Sequence, residues 1–448
     1  MQRLLLELAG FAVGVYYRRE RLGRAIPASG PVILVGNHPN GLVDPVLLAG
    51  TTDRALRFLG KAPLFEMPLL GGVMRGLAAL PVYRAQDDAD TALNERTFEA
   101  VFEALGASEI VCLFPEGKSH DEPVLQRLKT GAARMALGAE ARAGFRLGVR
   151  IVPVGLVYRA KRRFQSRVAT WVGEPIEVHD LAPLHARDEH AAVRALTARI
   201  AAGLSAVTLE LDRWEDLPLL EFAERILRAP GASDFARLRR FARGVRVLRE
   251  RDPERVDALG ERIGNFRDRL RELGIDPGRL DAEYRLASIL GYLARKLGVF
   301  VVGVPLALAG SVFWAVPYAL VPWIPRWMGA TRDLHATVQI LAGLVLFPLW
   351  AIGIATWIGF LWGPLAACTL VALALPFLFS LLWLRDWRTR VRADLASFLR
   401  LAPRAALHRS LLVERGAIAR EIEGLVRELA TPPEGLSRVR DSAPDFPG

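Results

Sequence analysis

The stretch Val35-Gly36-Asn37-His38-Pro39-Asn40-Gly41-Leu42-Val43-Asp44-Pro45 continues an apolar run that begins at residue 31. The run predicts a short buried strand, and the Gly, Asn and Pro residues after it predict a tight turn. His38 therefore stands at the mouth of a strand, with the Asp44 carboxylate following across the turn. If the turn folds back, Asp44 accepts a hydrogen bond from one imidazole nitrogen and leaves the other as a general base. A surface turn with a capping Asp44 and an idle His38 is the alternative that this stretch leaves open.

Composition sets the class of protein. A chain of 448 residues is too long for one ordinary core and predicts two or more structural units. A hydrophobic content of 52% points to membrane segments. The net charge of +11 suits nucleic acid, anionic lipid or a phosphorylated substrate. The 2 cysteines and 7 histidines show no disulfide framework and no ligand spacing, so no metal site is expected.

Changes in composition divide the chain into five segments. Residues 1–24 are an apolar stretch followed by arginines, which predicts an interfacial helix on anionic headgroups. Residues 25–205 alternate short apolar runs with helical patterns, which predicts an α/β domain. Charged helical patterns over 206–295 predict a helical insert, and apolar stretches over 296–385 predict membrane segments. Residues 386–448 predict a basic helical tail with a disordered end.

Apolar runs and periodic stretches predict the elements of the α/β domain. The predicted strands are 31–36, 80–83, 109–114, 150–157 and 168–172, and the predicted helices are 93–105, 122–141 and 187–205. The segment 61–76, rich in Pro and Gly, suits a tunnel or membrane-facing wall as well as a loop.

The longest uncharged stretch runs from Val338 to Leu384, with a break near Gly363-Pro364. Each half is long enough to span a bilayer, so the stretch predicts a tight helical hairpin. The arginines that follow from Arg385 onward should stay cytoplasmic. Basic residues before the proline-rich 297–325 require the same side, so that segment is expected to be re-entrant or interfacial.

Two further strand ends carry polar side chains. Arg84 follows the run 80–83, where its guanidinium would suit a phosphate clamp, although a solvated surface arginine is the commoner case. Glu116 follows the run 109–114 and needs a partner, because burying a bare carboxylate is costly. Arg84, Lys118 or Lys129 could supply it, and a solvated Glu116 in an exposed turn remains open. If the stretches converge, His38, Asp44, Arg84 and Glu116 are expected at one end of one sheet.

These motifs occur in a familiar order. Asn37-His38 through Asp44, Arg84, Phe114-Pro115-Glu116-Gly117 and Ile151-Val152-Pro153-Val154-Gly155 together resemble the four blocks of the glycerolipid acyltransferase superfamily. Most members place four residues between the His and the Asp, whereas this chain has five. A second difference is Lys118, which follows Glu116-Gly117 where a small or polar residue is expected. The motif with this longer spacing, His38 to Asp44, resembles that of the branch of glycerol-3-phosphate and dihydroxyacetone-phosphate acyltransferases.

The resemblance implies a fold and an activity. The fold is an α/β acyltransferase domain, with a central mixed sheet and flanking helices, plus a helical insert and C-terminal transmembrane helices. The activity is transfer of a fatty acyl group from acyl-CoA or acyl carrier protein, as co-substrate, to glycerol-3-phosphate or dihydroxyacetone phosphate in phospholipid synthesis. His38 would be the base and Asp44 its orienting partner, with no cofactor and no metal. The substrate-binding residues implied are Arg84, Glu116, Gly117, Lys118 and Ser119.

Other functions remain open at this stage. A lysophosphatidate or other lysophospholipid acceptor keeps the chemistry. A non-catalytic lipid-binding scaffold keeps the fold, although the intact His38 and Asp44 argue against it. A basic protein that binds nucleic acid or anionic lipid is a third possibility, but acidic residues interspersed with the arginines argue against a nucleic-acid partner. The composition suits a bacterium, which predicts the inner membrane with the catalytic domain in the cytoplasm.

Overall fold

The computed structural model describes residues 2–67, 70–83, 91–227, 234–275, 277, 280, 301, 303–330, 334–401 and 405–430. The chain forms two compact units. The first comprises Met1–Glu210 and Gly303–Leu381, and the second comprises Leu211–Val302 and Leu382–Gly448. The sheet and the apolar hairpin, as far as Leu381, therefore belong to the same unit, while the division into five segments stays a prediction.

The α/β part of the first unit contains eight strands and eight α-helices among its described residues. In chain order they are α1 (Gln2–Tyr16), β1 (Tyr17–Gly23), β2 (Val32–Gly36), α2 (Val43–Ala49), β3 (Leu56–Lys61), α3 (Pro63–Glu66), α4 (Leu70–Gly76), β4 (Leu80–Val82), α5 (Asn94–Gly106), β5 (Ile110–Leu113), α6 (Gly131–Arg142), β6 (Arg150–Tyr158), β7 (Ser166–Val172), β8 (Ile176–Glu177), α7 (Ala182–Arg187) and α8 (Glu189–Ser205).

The later helices are shared between the two units. They are α9 (Asp216–Leu227), α10 (Asp234–Arg251), α11 (Pro253–Glu272), α12 (Gly303–Phe313), α13 (Ala315–Leu320), α14 (Ile324–Trp327), α15 (His335–Trp362), α16 (Pro364–Leu401) and α17 (Ala405–Ala430).

The sheet is mixed, as predicted. Its order is β1-β7-β6-β2-β5-β3-β4, with β8 paired to β6. β6 is antiparallel to β7 and to β8, whereas the pairs β2–β5, β2–β6, β3–β5, β3–β4 and β1–β7 are parallel. Because β2, β5, β3 and β4 run in the same direction, their carboxyl ends meet at one edge of the sheet, where ligands bind in open α/β folds.

Strand β2 lies between two hydrophobic cores, one on each face of the sheet. Ile33 and Val35 pack into the core that α5, α6 and α8 cover on one face. Val32 and Leu34 pack on the opposite face, with α1, α2 and the first turn of α15. Side chains alternate between the faces of a strand, so a continuous apolar run suits a strand buried on both sides. Truncating one of these fully buried residues, as in Leu34→Ala, is expected to cost about 2–5 kcal/mol.

Most predicted elements are confirmed, and two differences are informative. Residues 17–23, assigned from the sequence to an N-terminal helical segment, form β1 and pair in parallel with β7. Only Tyr17 is fully buried in this strand, and exposed arginines replace the apolar run that would have signalled it. The helix predicted over 122–141 begins only at Gly131. Before it, the Lys129 N–H donates to the Pro115 carbonyl at 2.8 Å, which takes that backbone out of a helical ladder.

The predicted apolar hairpin is confirmed. Two helical stretches, His335–Trp362 and Pro364–Leu384, are long and apolar enough to cross a membrane. Of the most apolar 18 residues in each helix, only 11% and 6% are buried within the protein. Such exposed apolar surfaces suit lipid rather than water. Gly363 joins them with a φ of +87°, a conformation that glycine adopts readily. The described part of 297–325 includes α12, which is too short to span a bilayer; its predicted re-entrant or interfacial placement stays a prediction.

Helix α1 packs through one face. Val13 and Tyr16 are buried in the sheet core, while Leu4, Leu8 and Phe11 are exposed on the other side. This amphipathic arrangement fits the predicted interfacial helix, which stays a prediction.

The described residues of the second unit form helices, as predicted for the insert and the tail. Helices α9, α11 and α17 share a core that includes Phe222, Phe266 and Ile418. In the same unit, the Arg237 guanidinium forms an ion pair with the Glu224 carboxylate, and both side chains are nearly buried. The disorder predicted from residue 431 onward lies outside the described residues.

Candidate active site

Asn37 shapes the turn that follows β2. Its Nδ2 donates to the carbonyl oxygen of Leu156 at 3.1 Å, and the Leu156 N–H donates to its Oδ1 at 2.7 Å. The side-chain amide thus takes the place of a backbone pairing with β6, and the main chain can leave the sheet. Helix α2 begins at Val43, so Asp44 lies in its first turn and faces back toward the end of β2.

His38 and Asp44 form a hydrogen-bonded pair. His38 Nδ1 lies 2.9 Å from Asp44 Oδ2, and the side-chain exposures are 18% for His38 and 0% for Asp44. A carboxylate only accepts, so Nδ1 carries the proton and Nε2 of the neutral imidazole is the acceptor. No described residue forms a hydrogen bond with Nε2. The imidazole therefore presents a basic nitrogen at the sheet edge. The pair forms even though five residues, rather than four, separate His38 from Asp44.

The His38 ring is also held by stacking. It lies parallel to the Phe114 ring, with centroids 4.0 Å apart and planes 11° apart. Phe114 directly follows β5, so the strand next to β2 positions the flat face of the imidazole. A hydrogen bond at Nδ1 and a stacked face leave the ring little freedom.

The buried Asp44 carboxylate has three donors. The Asn40 N–H donates to Oδ2 at 2.6 Å, alongside His38 Nδ1, and the Tyr158 hydroxyl donates to Oδ1 at 2.6 Å. A carboxylate without solvent would otherwise be very costly to bury. Because every donor is directional, the three together fix the orientation of the carboxylate.

Glu116 is buried against the same turn and has partners other than the predicted ones. One oxygen accepts the His38 backbone N–H at 2.9 Å. The other accepts the Gln126 N–H at 2.9 Å and pairs with His120 Nε2. The sequence suggested Arg84, Lys118 or Lys129 as its partner; among the described residues, backbone N–H groups and an imidazole fill that role instead. With 0% of its side chain exposed, Glu116 is placed to hold the loop rather than to touch a substrate.

The three residues after Glu116 lie around the same loop. Gly117 has a φ of +75°, and an added Cβ would meet Lys129 Cε at 2.8 Å. Lys118 is exposed and Ser119 is half-buried. The His120 N–H donates to the His38 carbonyl at 3.1 Å, so the loop holds the His38 backbone at both its N–H and its C=O.

Arg84 lies outside the described residues. The strand before it, β4, ends at Val82 and runs parallel to β3, so it ends on the same edge as β2 and β5. The structure therefore brings His38, Asp44 and Glu116 to one end of one sheet, as predicted, while the place of Arg84 in that group stays a prediction.

Sequence reasoning missed several residues of the site. Tyr17 accepts a hydrogen bond from Asn40 Nδ2 at 3.0 Å and donates to the carbonyl oxygen of Lys161. Lys161 Nζ in turn donates to the Pro39 carbonyl at 3.1 Å and pairs with Asp121. Burial raises the pKa of Tyr158, and the Asp44 charge raises it further, so this hydroxyl keeps its proton. No local motif marks these residues, because their partners are distant in sequence.

The geometry defines what the site can do. His38 Nε2 can accept a proton from a hydroxyl group, and Asp44 can stabilise the imidazolium that results. The N–H groups of His38 and Asn40 are engaged by carboxylates, so they are not free to bind an oxyanion. Within the described part of the chain, no group of three or more His, Cys, Asp or Glu side chains could hold a metal ion.

Comparisons with known proteins agree with this geometry. Residues 19–157 match the family model described as Acyltransferase. Glycerol-3-phosphate O-acyltransferase 1 of Saccharomyces cerevisiae is 26% identical over 439 residues, covering 76% of this chain and 56% of that protein. Glycerol-3-phosphate O-acyltransferase 2 of the same yeast is 37% identical over 134 residues, covering 30% of this chain and 18% of that protein. The chain thus spans little more than half of the first relative and less of the second.

A solved structure shares part of the chain. The 1-acyl-sn-glycerophosphate acyltransferase PlsC from Thermotoga maritima is 18% identical, with a TM-score of 0.33, over 48% of this chain and 80% of that one. That likeness is too low to support an argument about function. The family model covers the His38, Asp44 and Glu116 motifs, and together with the yeast relatives it confirms the resemblance drawn from them. Residues 19–157 therefore match an acyltransferase domain, and the chain is similar to glycerol-3-phosphate O-acyltransferases of yeast.

Proposed function

We propose that this chain is a membrane-bound O-acyltransferase that acylates glycerol-3-phosphate, or dihydroxyacetone phosphate, from acyl-CoA or acyl carrier protein. The observation that carries the proposal is the hydrogen bond of 2.9 Å between His38 Nδ1 and Asp44 Oδ2, which leaves Nε2 as a base at the sheet edge. The names of the two yeast relatives support the acceptor. The same intact pair speaks against a non-catalytic scaffold.

His38 would start the reaction. Its Nε2 takes the proton of the acceptor hydroxyl while the oxygen attacks the thioester carbonyl. The tetrahedral intermediate then breaks its carbon–sulfur bond, and the leaving thiolate receives the proton from the imidazolium. Asp44 stabilises the imidazolium between the two transfers. An ester and a free thiol result, and no covalent acyl-enzyme is required.

The acceptor phosphate would bind beside the base. In the sequence, Arg84 comes shortly after β4, which ends at the same edge of the sheet. The exposed Lys118 and half-buried Ser119 follow β5. Guanidinium, ammonium and hydroxyl groups all bind phosphate well. Glu116 and Gly117 would shape this pocket by fixing its loop.

The membrane would bring donor and product to the site. The exposed apolar helix α15 and the first part of α16, as far as Leu381, belong to the same unit as the sheet. The arginines after Leu384 would keep that end of the hairpin in the cytoplasm, with the catalytic domain on the cytoplasmic face of a bacterial inner membrane.

An acceptor panel tests the proposal. Purified wild-type chain in detergent is given labelled acyl-CoA or acyl carrier protein, with glycerol-3-phosphate, dihydroxyacetone phosphate, lysophosphatidate or another lysophospholipid. Transfer to glycerol-3-phosphate or dihydroxyacetone phosphate is expected. Transfer only to a lysophospholipid would keep the chemistry and overturn the acceptor. Transfer to none of them, by folded protein that still binds lipid, would favour the scaffold.

A further inference from the structure

We propose that Tyr158 is a positioning residue that holds the Asp44 carboxylate in the orientation in which it serves His38. The inference rests on the proposed function, because it assigns Tyr158 a purpose only if His38 is a base. Tyr158 is the last residue of β6, on the strand next to β2.

The two oxygens of Asp44 have separate partners. Oδ2 accepts from His38 Nδ1 and from the Asn40 N–H, whereas Oδ1 accepts from the Tyr158 hydroxyl at 2.6 Å. The torsion that rotates a carboxylate is soft, so one oxygen bonded at one side would not fix its plane. A donor at the second oxygen does fix it, and keeps Oδ2 turned toward the imidazole.

The support beneath Tyr158 is rigid. Tyr158 pairs with Val168 of β7 in the sheet, and the residue is only 7% exposed. The Tyr17 ring lies edge-on against it, with centroids 5.4 Å apart. Tyr17 accepts a hydrogen bond from the side chain of Asn40, whose backbone N–H donates to Asp44. Tyr158 therefore holds one oxygen of Asp44 directly. Tyr17 acts on the other oxygen indirectly, because it holds the side chain of Asn40.

The hydroxyl of Tyr158 keeps its proton over the range in which a histidine titrates. Burial raises its pKa well above the ordinary value, and the Asp44 charge raises it further. Burial likewise raises the pKa of Tyr17. Both phenols are neutral donors near pH 7, so neither competes with His38 for a proton.

Other charged groups near His38 come from separate elements. They are Glu116 and His120 on the loop after β5, with Asp121 following them, and Lys161, which binds the Pro39 carbonyl. None of them hydrogen-bonds to Asp44 in the described structure. Replacing Tyr158 by Phe therefore removes one hydrogen bond from Asp44 and leaves these neighbours in place.

The test compares Tyr158→Phe with Tyr16→Phe in the full chain. Tyr16 is a matched control because its ring lies in the same core, while its hydroxyl contacts Gln339 and the Arg162 carbonyl rather than Asp44 or Asn40. Thermal melting of both variants shows that each folds. We expect Tyr158→Phe to lower kcat by about 10- to 100-fold with little change in KM, the scale of a misplaced catalytic group.

A second readout does not need activity. The rate at which diethyl pyrocarbonate modifies the peptide that carries His38 is followed against pH by mass spectrometry. Without the Tyr158 hydroxyl, the Asp44 carboxylate can rotate away from Nδ1 and stabilises the imidazolium less, so Tyr158→Phe should move the midpoint of this profile downward by up to about one pH unit. Tyr16→Phe should not move it.

The outcomes are distinct. An unchanged kcat and an unchanged midpoint in folded Tyr158→Phe would overturn the inference and leave Tyr158 as a core residue. If the wild type transfers no acyl group to any acceptor, the proposed function fails, while the midpoint still reports whether Tyr158 controls the His38–Asp44 pair. Equal losses in Tyr16→Phe would also overturn it, because they would show a general effect of removing a buried hydroxyl.

Discussion

Glu116 accepts the backbone N–H of His38 at 2.9 Å, although 78 positions separate the two residues. The imidazole of the same histidine is bonded to Asp44. One buried carboxylate therefore holds the main chain of His38, and another holds its ring. The turn after β2 supplies the base, and the loop after β5 holds the backbone of that base in place. Both motifs are therefore needed for one histidine.

Replacing Asp44 by Asn tests its role in orienting the base. An amide of the same size keeps one oxygen but places an NH₂ group toward the donors that now surround the carboxylate. The imidazole then loses both its tautomer control and the nearby charge. We expect kcat to fall by about 10⁴-fold, as when a triad aspartate is replaced by asparagine. Circular dichroism checks the fold, and a variant with near wild-type kcat would contradict the role.

Replacing Glu116 by Gln tests the loop that holds His38. Its oxygens accept from two backbone N–H groups and face His120. An amide NH₂ must face one of these donors, and a buried donor without a partner costs about 1–3 kcal/mol. The melting temperature and kcat should therefore both fall. Glu122→Gln is the control, because Glu122 is exposed on the same loop. Equal behaviour of the two variants would show that Glu116 has no special part.

Alkaline pH should unfold the first unit. Burial raises the pKa of Tyr16, Tyr17 and Tyr158 in the folded chain, whereas an unfolded tyrosine ionises near pH 10. The stability contributed by the neutral phenols is therefore fully present below about pH 10 and declines as the pH rises above it. Absorbance at about 295 nm and circular dichroism, followed together, should show tyrosinate from these residues only as the fold is lost. Their ionisation in a fully folded chain would contradict this.

The hairpin makes a separate prediction about the membrane. Leu349 lies near the middle of α15 and is 60% exposed, so lipid is expected around it. Arginine at the centre of a spanning helix costs about 2.5–3.5 kcal/mol on insertion. Wild-type chain should stay with membranes after alkaline carbonate washing, and Leu349→Arg should be released or degraded. Lys118→Arg, a change on an exposed loop residue of the sheet domain, serves as the control. Complete release of the wild type would contradict a spanning hairpin.

The central strands could be predicted because their signal is local. β2, β5 and β6 are buried apolar runs, and each is bounded by turn residues. The edge strand β1 could not be predicted, because its charged side chains contact polar groups across the strand pair. One such contact is the ion pair of 2.6 Å between Arg167 and Glu20. Strand pairing, rather than any pattern within residues 17–23, determines that conformation.

The candidate site divides in the same way. His38 and Glu116 stand just after the apolar runs of β2 and β5, and Asp44 follows His38 across the turn, so their convergence followed from the parallel arrangement of strands. Tyr158 lies 114 positions from Asp44, and no residue near either of them marks that contact. The partners of Glu116 were missed because two of them are backbone N–H groups, which any sequence can supply. Spacing along a chain shows which groups are available but gives no distances between them.

Acyl transfer to glycerol-3-phosphate by wild type and His38→Ala, in parallel, tests the central claim most directly. His190→Ala is the control, because His190 is an exposed histidine on α8. We predict that wild type and His190→Ala transfer the acyl group at similar rates, and that His38→Ala loses at least about 100-fold in rate, the scale of a lost general base. Equal transfer by all three proteins would contradict His38 as the base and, with it, the mechanism built on His38 and Asp44.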